Sequence, residues 1–176
     1  MNLTTKHLSS AALALALILG GTTLAQHFAS QPRVLHVDIS HVADFNDTRR
    51  LAGFADNVFI GRVLEQSGTH SPDGVLPETL FKVDVIRSLK GSLSGTVVVN
   101  QQGGFSAEEN ALILIEEDGL LETGKVYMFA TKTGGDGAWQ TLVPEFGDLH
   151  MGNGVQQVDV VQKFEKAVKE QIRYQP

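Results

Sequence analysis

The chain has no cysteine. That excludes disulfides and any metal site built on thiolate ligands. It also has no run of Lys and Arg. The 14 basic residues are outnumbered by 20 acidic ones, for a net charge of −6. A nucleic-acid binder normally carries a basic patch or stripe, so that class of partner is set aside. There is no internal repeat, and no low-complexity segment beyond one apolar run near the start. What is present is 176 residues with an ordinary hydrophobic content of 42%. That length fits one domain, or one domain and a tail. A chain of this size buries roughly two thirds of its unfolded surface, so a core can hold it together without disulfides.

The apolar run is Leu8 to Leu19, almost wholly Ala and Leu, with Lys6 and His7 before it. Gly20-Gly21 break the run, and Thr23-Leu24-Ala25 puts small residues where a signal peptidase reads. A charged start, a short apolar centre and a small-residue exit make a secretory signal over residues 1–25. The run is shorter than the ~20 residues of a spanning helix. Two alternatives stand beside a cleaved signal: an uncleaved membrane anchor and a buried core helix. Lipidation is excluded, because no cysteine follows the cleavage point. Cleavage after Ala25 removes Lys6 and no acid, leaving a more acidic chain. The expected location is secreted or extracytoplasmic. Export without disulfides fits a bacterium better than the eukaryotic secretory route.

Residues 26–45 read as a linker carrying an edge strand at 33–39, where Val34, His36 and Asp38 alternate with Leu35, Val37 and Ile39. Asn46-Asp47-Thr48 caps a short helix through Phe54, which Gly53 helps to stop. Strand one runs from about Asn57 to Gln66. It is apolar on both faces and interrupted by Gly61, the mark of a bulge, a bend or a close backbone approach. Residues 67–74 are turn chemistry. Strand two spans about Thr79 to Ser88, with Phe81, Val83 and Val85 on the inner side, and Leu89-Lys90-Gly91 ends it. Strand three is Thr96 to Gln101, strand four Lys125 to Thr131 and strand five Ala138 to Val143. Ala107 to Glu117 holds good helix formers, yet Leu112 to Ile115 equally suits a strand. The last segment, 155–176, is a helix with a stripe of Val161, Phe164, Val168 and Ile172 and opposite charges four apart, such as Glu165 and Lys169.

The order Ala55-Asp56-x-Val58-x-Ile60-Gly61-x-Val63, Phe81-x-Val83-x-Val85, Leu89-Lys90-Gly91, Val97-x-Val99, Gly103-Gly104 and Leu120-Leu121-x-x-Gly124-Lys125-x-Tyr127-x-Phe129 resembles a group of exported, mostly uncharacterised bacterial proteins. Their domain is similar to the netrin-like OB barrel of the tissue inhibitors of metalloproteinases. The resemblance covers roughly residues 47 to 150. It implies a mainly β fold: a five-stranded OB-like Greek-key barrel over 46–154, a short N-terminal helix, and a C-terminal helix packed outside. Protease inhibition does not carry over. The animal inhibitors chelate zinc through an N-terminal cysteine tethered by disulfides, and this chain has no cysteine.

No catalytic, cofactor or metal residue can be assigned from the sequence. His27, His36, His41, His70 and His150 have no spacing that sets two of them on one helix face, and they read as scattered surface side chains. Glu108-Glu109 and Glu116-Glu117-Asp118 are consecutive, whereas calcium loops alternate their acids around a glycine. Asp136 fits hairpin preferences. Ser9 and Ser10 belong to the signal, and Ser71 and Ser106 lack a Gly-x-Ser-x-Gly frame. Gly103-Gly104 lacks the Lys-Ser/Thr of a phosphate loop, and Lys90-Gly91 reads as a strand-ending turn. Of the aromatics Phe59, Phe81, Tyr127, Phe129 and Trp139, most alternate inward as core, and Trp139, beside a turn, stands apart.

The expected function is a non-enzymatic extracytoplasmic binding or interaction module. Its partner is a protein or a cell-envelope component, with no nucleic acid, no cofactor, and no membrane contact beyond a retained signal anchor. The ligand surface is expected near the loops at 67–78 and 132–137. One alternative is a metal-dependent or hydrolytic enzyme whose site is dispersed in sequence, with His70, His150 and nearby acids as candidates. Another, by fold analogy alone, is a hydrolase inhibitor.

Overall fold

A computed structural model describes residues 33–72, 74, 76–116, 118–134, 137–152 and 154–175. The chain divides into units 1–31 and 32–176. The expected signal lies outside the described residues, and the fold below is that of the second unit.

Five strands close a barrel. They are β2 (Asn57–His70), β3 (Glu78–Lys90), β4 (Gly95–Gln102), β7 (Val126–Thr133) and β8 (Gln140–Leu142). The order around the barrel is β2-β3-β4-β8-β7, and β7 returns to β2. All neighbours are antiparallel except β4 and β8, which run parallel. One parallel contact in an otherwise antiparallel five-stranded ring makes this the OB-like Greek-key barrel.

Alternation along the strands explains what fills it. Phe59, Val63, Phe81, Val83, Val99, Phe129 and Leu142 point inward and form one buried cluster with Tyr127 and Leu121. Burying each large apolar side chain contributes about 1.5–3 kcal/mol, before the entropy cost of ordering it. The opposite face of β2 and β7 is buried too. Val58, Ile60, Met128 and Ala130 join Leu51 and Ala52 of α1 (Thr48–Phe54), its C-cap Ala55, and Phe164 and Ala167 of α2 (Val155–Lys169) in a second cluster. Residues 57–61 of β2 are therefore buried on both faces, whereas Arg62 and residues 64–67 are exposed, so the cover expected over the whole strand holds for its first part only.

Gly61 serves both roles a glycine has in such a strand. The β2–β3 register shifts beside it, and a methyl there would lie 2.5 Å from Val83 Cγ1. Four such shifts coil β2 and let it run to His70. The turn expected over 67–74 is accordingly shorter. Ser67, Gly68 and Thr69 stay in the strand, where Gly68 pairs with Leu80 and Thr69 with Thr79. At the other end, β8 starts at Gln140, which leaves Trp139 beside the hairpin.

Residues 104–115 hold two strands joined by a turn at 107–110. β5 (Gly104–Ser106) and β6 (Ala111–Ile115) pair antiparallel, and β1 (Arg33–Val37) adds to β6 in parallel, so this small sheet has β1 at its edge. The alternating burial of Ala111, Ile113 and Ile115 decides against a helix over 107–117. After β6, Leu120 and Leu121 meet the barrel cluster. The buried Gln101 amide holds this segment, donating to Gly119 O and accepting from Leu121 N, both at 2.9 Å. A short strand β9 (Asp148–His150) pairs with β7.

The helices are tied to the barrel by specific contacts. Asp47 caps α1, accepting from Arg49 N at 3.0 Å. Lys90 satisfies the other end: its ammonium donates to Ala52 O and Ala55 O at 2.7 Å and to Gln171 Oε1 at 2.8 Å. Gly91, at φ +82°, takes a left-handed turn against the Asn57 side chain. The Leu89-Lys90-Gly91 signature thus ends a strand and also caps a helix. Helix α2 stops at Lys169, so Ile172 lies beyond it, where its N–H donates to Arg49 O at 3.0 Å. The backbone of this tail crosses so close to Gly53 that a methyl there would stand 1.9 Å from Ile172 O. Glu165 reaches Arg87 of β3 rather than Lys169.

Candidate ligand-binding face

The outward residues of β3, β4 and β8 are set by the same alternation that sends Phe81, Val99 and Leu142 inward. Glu78, Asn100 and Thr141 face out. The register places His70 opposite Glu78, Glu78 opposite Gln102, and Asn100 between Leu80 and Thr141. His70 ends β2, and Trp139 immediately precedes β8. The β2–β3 turn and the β7–β8 hairpin therefore meet around this face, which is where OB barrels present ligand-binding loops.

Four side chains are linked there. His70 Nε2 lies 3.4 Å from Glu78 Oε2, an ion pair when His70 is protonated. Asn100 Nδ2 donates to the same carboxylate oxygen at 2.7 Å. The His70 and Trp139 rings sit 6.0 Å apart between centroids, tilted by 55°. The indole lies against Gly134, where a methyl would be 2.4 Å from Nε1, and Gly134 N donates to Trp139 O at 2.9 Å to close the hairpin. Asn100 is 2% exposed, although it lies on the outer face. Its Oδ1 is buried and has no hydrogen-bond partner. The Glu78 carboxylate fixes which end of the amide is nitrogen, so the free atom is an acceptor.

The other histidines go elsewhere. His36 Nδ1 meets Glu116 O, and His41 Nε2 lies 3.0 Å from Glu145 Oε2 with its ring edge-on to Phe146. His150 stacks edge-to-face on Tyr127. His70 and His150, the pair considered for an enzyme site, thus have separate partners. His27, Ser9, Ser10, Glu117 and Asp136 lie outside the described residues. Ser106 Oγ accepts from Glu109 N at 3.3 Å within a turn, and Gly103 N donates to Pro77 O. Phe59, Phe81, Tyr127 and Phe129 are buried in the barrel, leaving Trp139 as the one outward member of that aromatic set.

A second concentration of titratable groups surrounds Glu116, Asp118, Glu145 and Asp148. Asp118 accepts from Glu145 N at 3.3 Å, and burial raises its pKa. Burial, reinforced by the Asp118 charge, pushes Asp148 up to about 8. Glu116 is raised by desolvation and by Asp38. Among the described residues, no group of three or more His, Asp and Glu side chains is placed to hold a metal ion. Among them, too, no helix is long and apolar enough to cross a membrane.

Sequence reasoning singled out His70 and Trp139 but passed over Glu78 and Asn100. The available signal was Asn100 itself, a polar residue directly after Val97-Val98-Val99 in a strand. No protein-family model and no curated protein matches this chain.

Proposed function

We propose that this protein is a non-enzymatic, extracytoplasmic binding module. Its recognition surface is the outer face of β3, β4 and β8, between the β2–β3 turn and the β7–β8 hairpin. The observation that carries this reading is the cluster of part-exposed His70, Glu78 and Trp139 side chains at the border of the two loops, with Asn100 holding the Glu78 carboxylate from beneath. The rigid part of the site stands on strands, and its two borders are loops, which suits recognition. The N-terminal signal pattern supports an extracytoplasmic setting and a partner in the cell envelope.

The test is retention from envelope extracts on immobilised protein, comparing wild type with Trp139→Ala over a range of salt. A component held by the wild type and lost by the variant supports the reading. Equal retention by both, or none by either, overturns it.

A further inference from the structure

On the helix flank, the tail after α2 closes a cavity of about 370 Å³ against α1 and the segment before it. That volume lies within the ~300–1,000 Å³ range of small-molecule sites. Its walls are fixed. Ile172 N–H donates to Arg49 O at 3.0 Å, and the Tyr174 ring stands edge-on to Phe54, 5.3 Å between centroids. Ala43, on the other wall, packs on the helix-side core. Val42, Ala43 and Ile172 give the cavity an apolar lining, Tyr174 adds an aromatic one, and Arg50 of α1 and Arg173 of the tail add two cations. No acidic residue lines it. Among the described residues, neither arginine side chain has an ion pair or a hydrogen bond. Asp47, one turn before Arg50, is already held by Arg49 at 2.7 and 3.0 Å. Burial and the charges of Lys132 and Arg173 lower the Lys90 pKa against the pull of Asp56, so cations crowd this flank of a chain whose net charge is −6. Two unpaired guanidinium groups beside apolar surface suit an anion with an apolar body. Carboxylate and phosphate both match the planar donor fork of arginine. A broad polyanion such as a bilayer fits less well, because Asp47 and Glu170 interrupt the basic side chains on the neighbouring α1–α2 surface. We propose that this cavity is a second binding site, for a small organic anion. Arg50 and Arg173 take its carboxylate or phosphate, and its apolar part lies against Val42, Ile172 and Tyr174. The site is separate from the recognition face on β3, β4 and β8.

Isotope-labelled protein is titrated at low salt with phenyl phosphate, benzoate, inorganic phosphate and benzyl alcohol, following amide and arginine side-chain NMR signals. The expected result is saturable shifts at residues 42–43, 50 and 172–175 with phenyl phosphate or benzoate, and clearly weaker binding of inorganic phosphate and benzyl alcohol. Arg50→Gln and Arg173→Gln should each weaken that binding about 10-fold, a loss of about 1.4 kcal/mol. Both should keep the wild-type melting temperature, since neither side chain has a partner to lose. Arg50→Lys keeps the charge without the fork and should fall between wild type and Arg50→Gln. Trp139→Ala should bind like wild type, so failure of this site and failure of the recognition face are read separately. Shifts with neither organic anion overturn the proposal. Equal binding of inorganic phosphate, which marks an adventitious ion only, overturns it too, and so does equal binding of benzyl alcohol, which marks an apolar groove. Vesicles of phosphatidylcholine and phosphatidylglycerol that shift the same residues, when neither organic anion does, assign the surface to a bilayer and overturn the cavity reading.

Discussion

Asp148 shows how a single carboxyl couples this fold to pH. Its pKa is pushed up to about 8 by burial and by neighbouring Asp118. In the unfolded chain an Asp titrates near 3.9. Between about pH 4 and 8 the native state therefore holds a proton that the unfolded state has released. Stability falls as pH rises through this window and levels off above it. Asp148→Asn keeps the shape and removes the titration. Thermal unfolding by circular dichroism should give the variant a higher Tm than wild type at pH 8 and a similar one at pH 4. Parallel Tm curves across that range would contradict the assignment. Lys90 is a second residue whose role is structural. Lys90→Met strips the donors from Ala52 O and Ala55 O, which should cost about 1–3 kcal/mol in denaturant unfolding. In the sequence Lys90 is legible only as the end of a strand, because the carbonyls it caps lie 38 and 35 positions earlier.

At the scale of elements, the strands were readable where apolar residues alternate, and their limits were not. β2 extends to His70 because bulges keep it paired past Ser67, and bulges depend on the partner strand rather than on local propensity. Residues 105–122 mix helix formers with a Leu-Ile-Leu-Ile run, and only pairing with β1 and β5 settles Ala111–Ile115 as a strand. Helix α1 was legible from its Asp47 cap and its ending at Gly53-Phe54, but the sequence assigns Gly53 only a helix-stopping role. Its larger role is to let the tail after α2 cross α1 at backbone distance. Gly53→Ala should therefore destabilise despite alanine's better helix propensity, by about 1–3 kcal/mol. In a domain of this size, each kcal/mol lowers Tm by about 2–4 °C. An unchanged or raised Tm would show that the tail is not held against α1.

At the scale of the whole molecule, two cores divide the work. One fills the barrel, and the other binds α1 and α2 to the outside of β2 and β7. That arrangement covers the β2–β7 flank of the barrel, and Glu78, Asn100 and Trp139 lie on the β3–β4–β8 side. The strands were legible from alternation, and the barrel from the resemblance that those apolar residues and glycines carry. Of the proposed recognition face, the two loops, His70 and Trp139 were legible. Glu78 and Asn100 were not, since their link joins positions 22 apart on neighbouring strands. The claim that this flank is the recognition surface is tested most directly by amide NMR spectra of isotope-labelled protein, recorded with and without a soluble envelope extract. The account predicts shifts concentrated at His70, Glu78, Asn100 and residues 139–141. Shifts confined to the β1–β6–β5 sheet or to the helices would contradict it.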